Sequence, residues 1–231
     1  MNDNLSFIAG PDPDFPYLDE TIRFSFPDPE AWDDDIISIG GNLSPGMLLS
    51  AYEQGIFPWY NPGDPLLWQS PDPRCIIFPD KLHISSSMKK IIKQKIFDIT
   101  FDKDFAGVIK GCSEIQRHNQ NGTWISDDII KAYTELHRLG WTHSAEAWQD
   151  GELVGGCYGM LMGRCFIGES MFSKKNNASK AAFLSLAVLL FEHSVEFIDC
   201  QVPTKHLMSL GGEIMARSDF LELLKVYRVS R

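Results

Sequence analysis

The chain has 231 residues, 44% hydrophobic and 23% charged, which suits one large or two small globular units with an ample core. No apolar run approaches the roughly 20 residues that span a bilayer, and Met1-Asn2-Asp3-Asn4 lacks the basic and apolar regions of a signal peptide, so a cytoplasmic protein with no membrane partner is expected. The net charge of −10 is uneven: ten acids and only one base, Arg23, fall in residues 1–35, which leaves residues 36–231 at −1 and free to carry a cationic patch.

Residues 1–35, rich in Pro and Asp, are expected to form an extended acidic arm. Residues 36–41 read as a short strand and turn. A helix follows, with Ser44 as its N-cap, Pro45 at its first position and Gly55 just past its end; Met47, Leu48, Ala51 and Tyr52 form its apolar stripe. Five prolines between Pro58 and Pro73, with Phe57, Trp59, Tyr60 and Trp68 in the same stretch, make 56–75 an ordered loop region or domain joint. Strands are predicted at 75–78 and 96–101, and helices at 85–94 and 104–117. Ser126 suits the cap of a further helix, with Asp127 and Asp128 in its first turn, that runs to Gly140. Residues 142–149 and 152–160 read as strands joined by the hairpin signal Asp150-Gly151. A third strand at 164–168, a long apolar helix at 177–192 and a last strand at 196–202 complete an α+β order. That order resembles the fold of the GNAT acyltransferases.

In the last strand, alternation puts Asp199 and Gln201 on one face and Cys200 on the other. Two adjacent polar side chains on an apolar strand need hydrogen bonds. Either the carboxylate accepts from the Gln201 amide and leaves its carbonyl aimed outward as a working pair, or the pair is structural. Glu169, after a glycine at a strand end, either faces a cleft or stands exposed in a loop. Trp59 and Trp124 lie beside proline or near glycine; each is a core residue or a platform for a stacked base. Lys89, Lys90 and Lys93 are a solvated helix face or a contact for nucleic-acid phosphates. Other templates fail. The segment 168–172 lacks the second glycine of a nucleophile elbow, there is no phosphate-cradling GxxxxGK[ST], and the six histidines are isolated. The five cysteines, without CxxC spacing, indicate neither a zinc knuckle nor a disulfide framework.

From Ile36 to about Asp219 the motifs Gly-Ile-Phe-Pro-Trp, Pro-Gly-Asp-Pro, Ser-Pro-Asp-Pro-Arg, Gly-Thr-Trp-Ile, Gly-Glu-Ser-Met-Phe-Ser, Asn-Ala-Ser-Lys and Ile-Asp-Cys-Gln-Val occur in order. Together they resemble the leucyl/phenylalanyl-tRNA–protein transferase family. The resemblance implies a small N-terminal domain over 36–75 and a GNAT-like catalytic domain over 76–231; the acidic arm over 1–35 departs from the family and is assigned no function. It also implies transfer of Leu or Phe, and less well Met, from aminoacyl-tRNA to proteins beginning with Lys or Arg, which marks them for degradation by the N-end rule. No cofactor, neither metal nor CoA, is implied, and a monomer is expected. The family's catalytic Gln falls on Gln201, its orienting Asp on Asp199 and its site glutamate on Glu169. Its adenine-stacking tryptophans fall on Trp59 and Trp124. Tyr133 and Met171 match substrate-pocket positions, and Cys157 stands where the family often has Met. The basic cluster Lys89, Lys90 and Lys93 becomes the expected tRNA contact.

Overall fold

The computed structural model describes residues 8–115 and 123–228. A 3-10 turn at Pro29–Ala31 precedes β1 (Ile36–Ile39), α1 (Pro45–Glu53), β2 (Phe57–Pro58), β3 (Leu67–Gln69) and β4 (Arg74–Ile77). Next come α2 (Ser86–Lys93), β5 (Asp98–Phe101), α3 (Phe105–Glu114), α4 (Asp127–Arg138), β6 (Thr142–Gln149), β7 (Glu152–Met162) and β8 (Cys165–Ser173). The chain ends in α5 (Ala178–Glu192), β9 (Phe197–Asp199), α6 (Lys205–Ser209), β10 (Glu213–Met215) and α7 (Arg217–Tyr227). The expected α+β class and element order are present. Residues 116 and 117 of the helix expected over 104–117, and the first seven residues of the arm, lie outside the described residues.

Local chemistry accounts for several of these boundaries. Asp150 and Gly151 both take positive φ, 55° and 79°, as a two-residue hairpin matched to strand twist requires. Ser126 Oγ accepts from Ile129 N at 3.3 Å and caps α4. Ser44 precedes α1 but makes no such cap; its hydroxyl accepts from Leu18 N at 3.2 Å. The arm is therefore fastened to α1. Phe24 N bonds Ser50 Oγ at 2.8 Å, Phe26 N bonds Gln54 Oε1 at 3.2 Å, and Phe26 is buried against the Trp68 ring.

β1, β3 and β2 form a three-stranded antiparallel sheet. The main sheet runs β10-β4-β9-β8-β7-β6-β5, antiparallel at every pair except β8–β9. β4, just after the proline-rich stretch, thus joins the main sheet. Successive glycines in β7 let helices close on both faces. A Cβ on Gly155 would stand 2.6 Å from that of Ala178 in α5, and one on Gly156 would stand 3.0 Å from Val108 in α3. One core lies on the α5 side, and the other on the side of α1, α3 and α4.

Two departures from the sequence expectation shape the site. β8 runs on past 164–168 to Ser173, so Glu169 is in mid-strand. It is the extra residue of a β-bulge, since Tyr158 pairs with Ser170 but Gly159 pairs with Gly168. The strand expected over 196–202 stops at Asp199, because Gln201 takes a left-handed φ of 62°. Parallel pairing of β8 with β9 ends at Ile167–Asp199, and a cavity opens beyond the last pair.

Candidate active site

The cavity has a volume of about 340 Å³ and a mainly apolar wall. Gly168, Glu169, Ser170 and Met171 of β8 form one side, Cys157 and Tyr158 of β7 another, and Cys200, Gln201, Thr204, His206 and Leu207 the side beyond β9; Phe183 and Ile115 close it. The bulge shifts the alternation of β8. Met171 therefore stands opposite Cys157 beside the cavity, while the Glu169 carboxylate reaches tyrosines packed on the other face. Bulges are a general means of re-aiming one strand residue.

Glu169 is 8% exposed. Its Oε1 accepts from Tyr52 Oη at 2.6 Å and from Gln201 Nε2 at 3.1 Å, and its Oε2 accepts from Tyr133 Oη at 3.3 Å. The two tyrosine hydroxyls are also in contact with each other, so two phenol protons are shared among three contacts. Burial pushes the Glu169 carboxyl up to about 7, against the lowering effect of the Tyr52 hydrogen bond. Burial, then the adjacent carboxylate, pushes both tyrosines well above the usual phenol range, so each stays a neutral donor. Glu169 is thus a carboxylate able to gain or lose a proton near neutrality, as acid–base work requires.

Behind this group lies a buried ion pair. Arg74 Nε donates to Asp199 Oδ1 at 3.0 Å and Nη2 to Oδ2 at 2.7 Å; the side chains are 1% and 0% exposed. Arg74 Nη1 reaches Gly55 O at 3.1 Å, and its guanidinium lies over the rings of Phe220 and Phe57, 4.3 and 5.0 Å from their centroids. Asp199 Oδ1 also accepts from the Gln201 backbone N–H at 2.8 Å. The pairing expected of Asp199 is corrected here. It holds Gln201 by the main chain, and the Gln201 amide donates to Glu169. Strand alternation fails to describe the pair because Gln201 is past the strand.

Gln201, Glu169, Cys157 and Met171 come together at the cavity, Asp199 lies directly behind Gln201, and Tyr133 supports Glu169 from below. Trp59 and Trp124 are not in this cavity's wall. Trp124 is 8% exposed within the larger core, and the Trp59 ring is half-buried, 6.5 Å from that of Phe57. Lys89, Lys90 and Lys93 are exposed on α2. Tyr52, Arg74 and His206 were not singled out by sequence reasoning. Tyr52 reads as one more apolar-stripe residue, His206 as an isolated histidine, and only the Ser-Pro-Asp-Pro-Arg motif pointed to Arg74. Among the described residues, no three of His, Cys, Asp and Glu gather closely enough to ligate a metal, and no helix is long and apolar enough to cross a membrane.

Residues 76–225 match the family described as leucyl/phenylalanyl-tRNA protein transferase, and residues 41–72 match that family's N-terminal domain. The chain belongs to this family. It is an aminoacyltransferase that uses aminoacyl-tRNA. The leucyl/phenylalanyl-tRNA–protein transferase of Desulfatibacillum aliphaticivorans is 54% identical over 200 residues, 86% of each chain. That of Flavobacterium johnsoniae is 51% identical over 209 residues, 90% of this chain and 98% of the other. That of Pseudomonas aeruginosa is 45% identical over 224 residues, 97% and 95%. In the transferase, the burial of Trp124 gives an expected result: Trp124→Ala should lose about 3–5 kcal/mol of folding stability in denaturant titration. A loss below about 1 kcal/mol would show that its ring is not a core element.

Proposed function

We propose that the chain transfers Leu or Phe, and less readily Met, to the α-amino group of proteins beginning with Lys or Arg, and so marks them for N-end rule degradation in the cytoplasm. The observation that carries this reading is the Glu169 carboxylate joined to the Gln201 amide at the wall of an apolar cavity. Such a wall suits the uncharged side chain being transferred. The aminoacyl ester is already activated, so the enzyme must chiefly hold a neutral amine against its carbonyl, and positioning can supply about 7–11 kcal/mol of the barrier. In this reading Gln201 orients the amine. The amine nitrogen attacks the ester carbon, the bond to the ribose oxygen breaks, and Glu169 takes the amine's proton and passes it to the leaving oxygen. No cofactor enters these steps.

The test is incubation with radiolabelled leucyl-tRNA and peptides beginning with Arg or Glu. Label should enter only the Arg peptide, and ribonuclease should abolish the transfer. Transfer from acyl-CoA, indifferent to ribonuclease, would overturn the reading.

Cys157 and Met171 are register partners beside the cavity, and we assign them to the transferred side chain's pocket. Cys157→Met should then shift the Phe-to-Leu preference towards Leu by up to about 1–3 kcal/mol, read by competition between the two charged tRNAs. An unchanged ratio would remove Cys157 from the pocket.

We assign Lys89, Lys90 and Lys93 to the tRNA backbone. No ion pair within 4.0 Å engages them among the described residues, so they are available to phosphates. Changing any one to Ala should reduce the slope of log K against log salt by about 1; a constant slope would leave them as a solvated face. Trp59, half-buried and next to the Phe57 ring that meets Arg74, is the tryptophan we assign to stacking on the terminal adenine.

A further inference from the structure

β4 and β9 pair antiparallel with Ile77 opposite Ile198 and Ile76 opposite Asp199. Beyond that last pair, Cys75 lies alongside both Cys200 and Gln201. Cys200 N donates to Cys75 O at 2.8 Å, and Cys75 N donates to Gln201 O at 3.0 Å. Both side chains pack in the core on the α5 side of the sheet, while the ion pair of Arg74 and Asp199 lies on the other. The Cys200 S–H donates to Ile198 O at 4.0 Å. Cys200 is 9% exposed and lines the cavity, and Cys75 lies fully buried behind it. Facing residues of hydrogen-bonded antiparallel segments have Cα atoms about 5.5 Å apart, within the roughly 4.4–6.8 Å that a disulfide spans. Both are free thiols.

We propose that Cys75 and Cys200 are a modification site, a dithiol that hydrogen peroxide converts to a disulfide in the wall of the active-site cavity and thereby stops transfer. Peroxide is small enough to enter the cavity. One sulfur, as thiolate, attacks a peroxide oxygen; the O–O bond breaks, and the sulfenic acid and one water result. The second sulfur attacks the first, the S–O bond breaks, a second water leaves, and the S–S bond forms. Two electrons pass from the two thiols to the peroxide. Cys200 lines the cavity and is the sulfur that the peroxide meets first, and Cys75, buried behind it, closes the bond. Cys157 opens on the same cavity but stands opposite Met171 and Ala145 in the strand registers. The disulfide would re-set the backbone step immediately before Gln201, whose left-handed turn and bond to Asp199 aim its amide at Glu169.

The experiment treats the full chain with hydrogen peroxide, alkylates the remaining thiols and maps the cysteines by mass spectrometry. Two of the five thiols should be lost, with one cross-linked peptide pair joining Cys75 to Cys200, and dithiothreitol should restore both. Aminoacyl transfer should fall on the order of 10²-fold with the bond formed, as expected for a displaced positioning group, and return on reduction. Cys75→Ala should keep transfer activity and become insensitive to the same peroxide treatment. Because wild-type mapping needs no variant, a poorly folding Cys75→Ala leaves the test intact. A folded chain that forms no such bond, or pairs other cysteines, would overturn the site. A disulfide that leaves transfer unchanged would overturn its role as a switch. A preparation inactive before oxidation would count against the transfer reading alone, since the bond is read by mass.

Discussion

Arg74→Met is expected to cost about 3–5 kcal/mol of folding stability, because it leaves the Asp199 carboxylate buried without its counter-charge. Asp199 is 0% exposed, and the Gln201 N–H is its other hydrogen-bond donor. The variant also strips Gly55 O of a donor and takes the guanidinium from the Phe57 and Phe220 rings. Urea unfolding measures the loss. The double variant Arg74→Met with Asp199→Leu should recover most of it, since a buried ion pair contributes little beyond an apolar pair of similar volume. The double variant should nonetheless stay impaired in transfer, because Gln201 loses the carboxylate that holds its N–H. A single-variant loss below about 1 kcal/mol, the range of exposed pairs, would show that the pair is solvated in solution.

Glu169→Gln should separate chemistry from binding. In the folded protein the Glu169 carboxyl stands at about 7, against 4.5 for a free glutamate. Between those values the folded chain binds more protons than the unfolded one, so this group's contribution is present below about pH 4.5 and is lost as pH rises through about 7. The difference corresponds to about 3 kcal/mol above pH 8. Relative to wild type, Glu169→Gln should therefore gain stability as pH rises across that window, in urea titrations at several pH values. Its turnover should fall about 10²–10⁴-fold, the usual worth of a positioned acid–base group. The wild-type single-turnover rate should rise through a midpoint near pH 7, and the variant should lack that limb. An unchanged limb in Glu169→Gln would assign the proton to another group.

Much of the frame was legible in the sequence because it is set by neighbours a few residues apart. Asp150-Gly151 can take two positive φ values, Ser126 can satisfy the first amides of α4, and the apolar run at 177–192 suits a helix buried against a sheet. The ordered motifs from Gly55 to Val202 likewise carried the family, and with it the expectation that Gln201, Glu169 and Asp199 belong to the site.

What the sequence by itself determined, then, was the order of the main elements and the family. The tertiary structure decided which side chains meet. The bulge at Glu169 exists only in the register of β7 against β8. Asp199 meets Arg74 across a separation of 125 residues, and Cys75 lies beside Cys200 just past the end of the β4–β9 pairing. Tyr52, one apolar-stripe residue among several, becomes a donor to Glu169 because α1 packs over the main sheet. Turn and capping chemistry acts over a few residues and is visible locally. The partner of a buried charge is chosen by which distant strands lie side by side, since in a low-dielectric interior an unpaired group is too costly to keep.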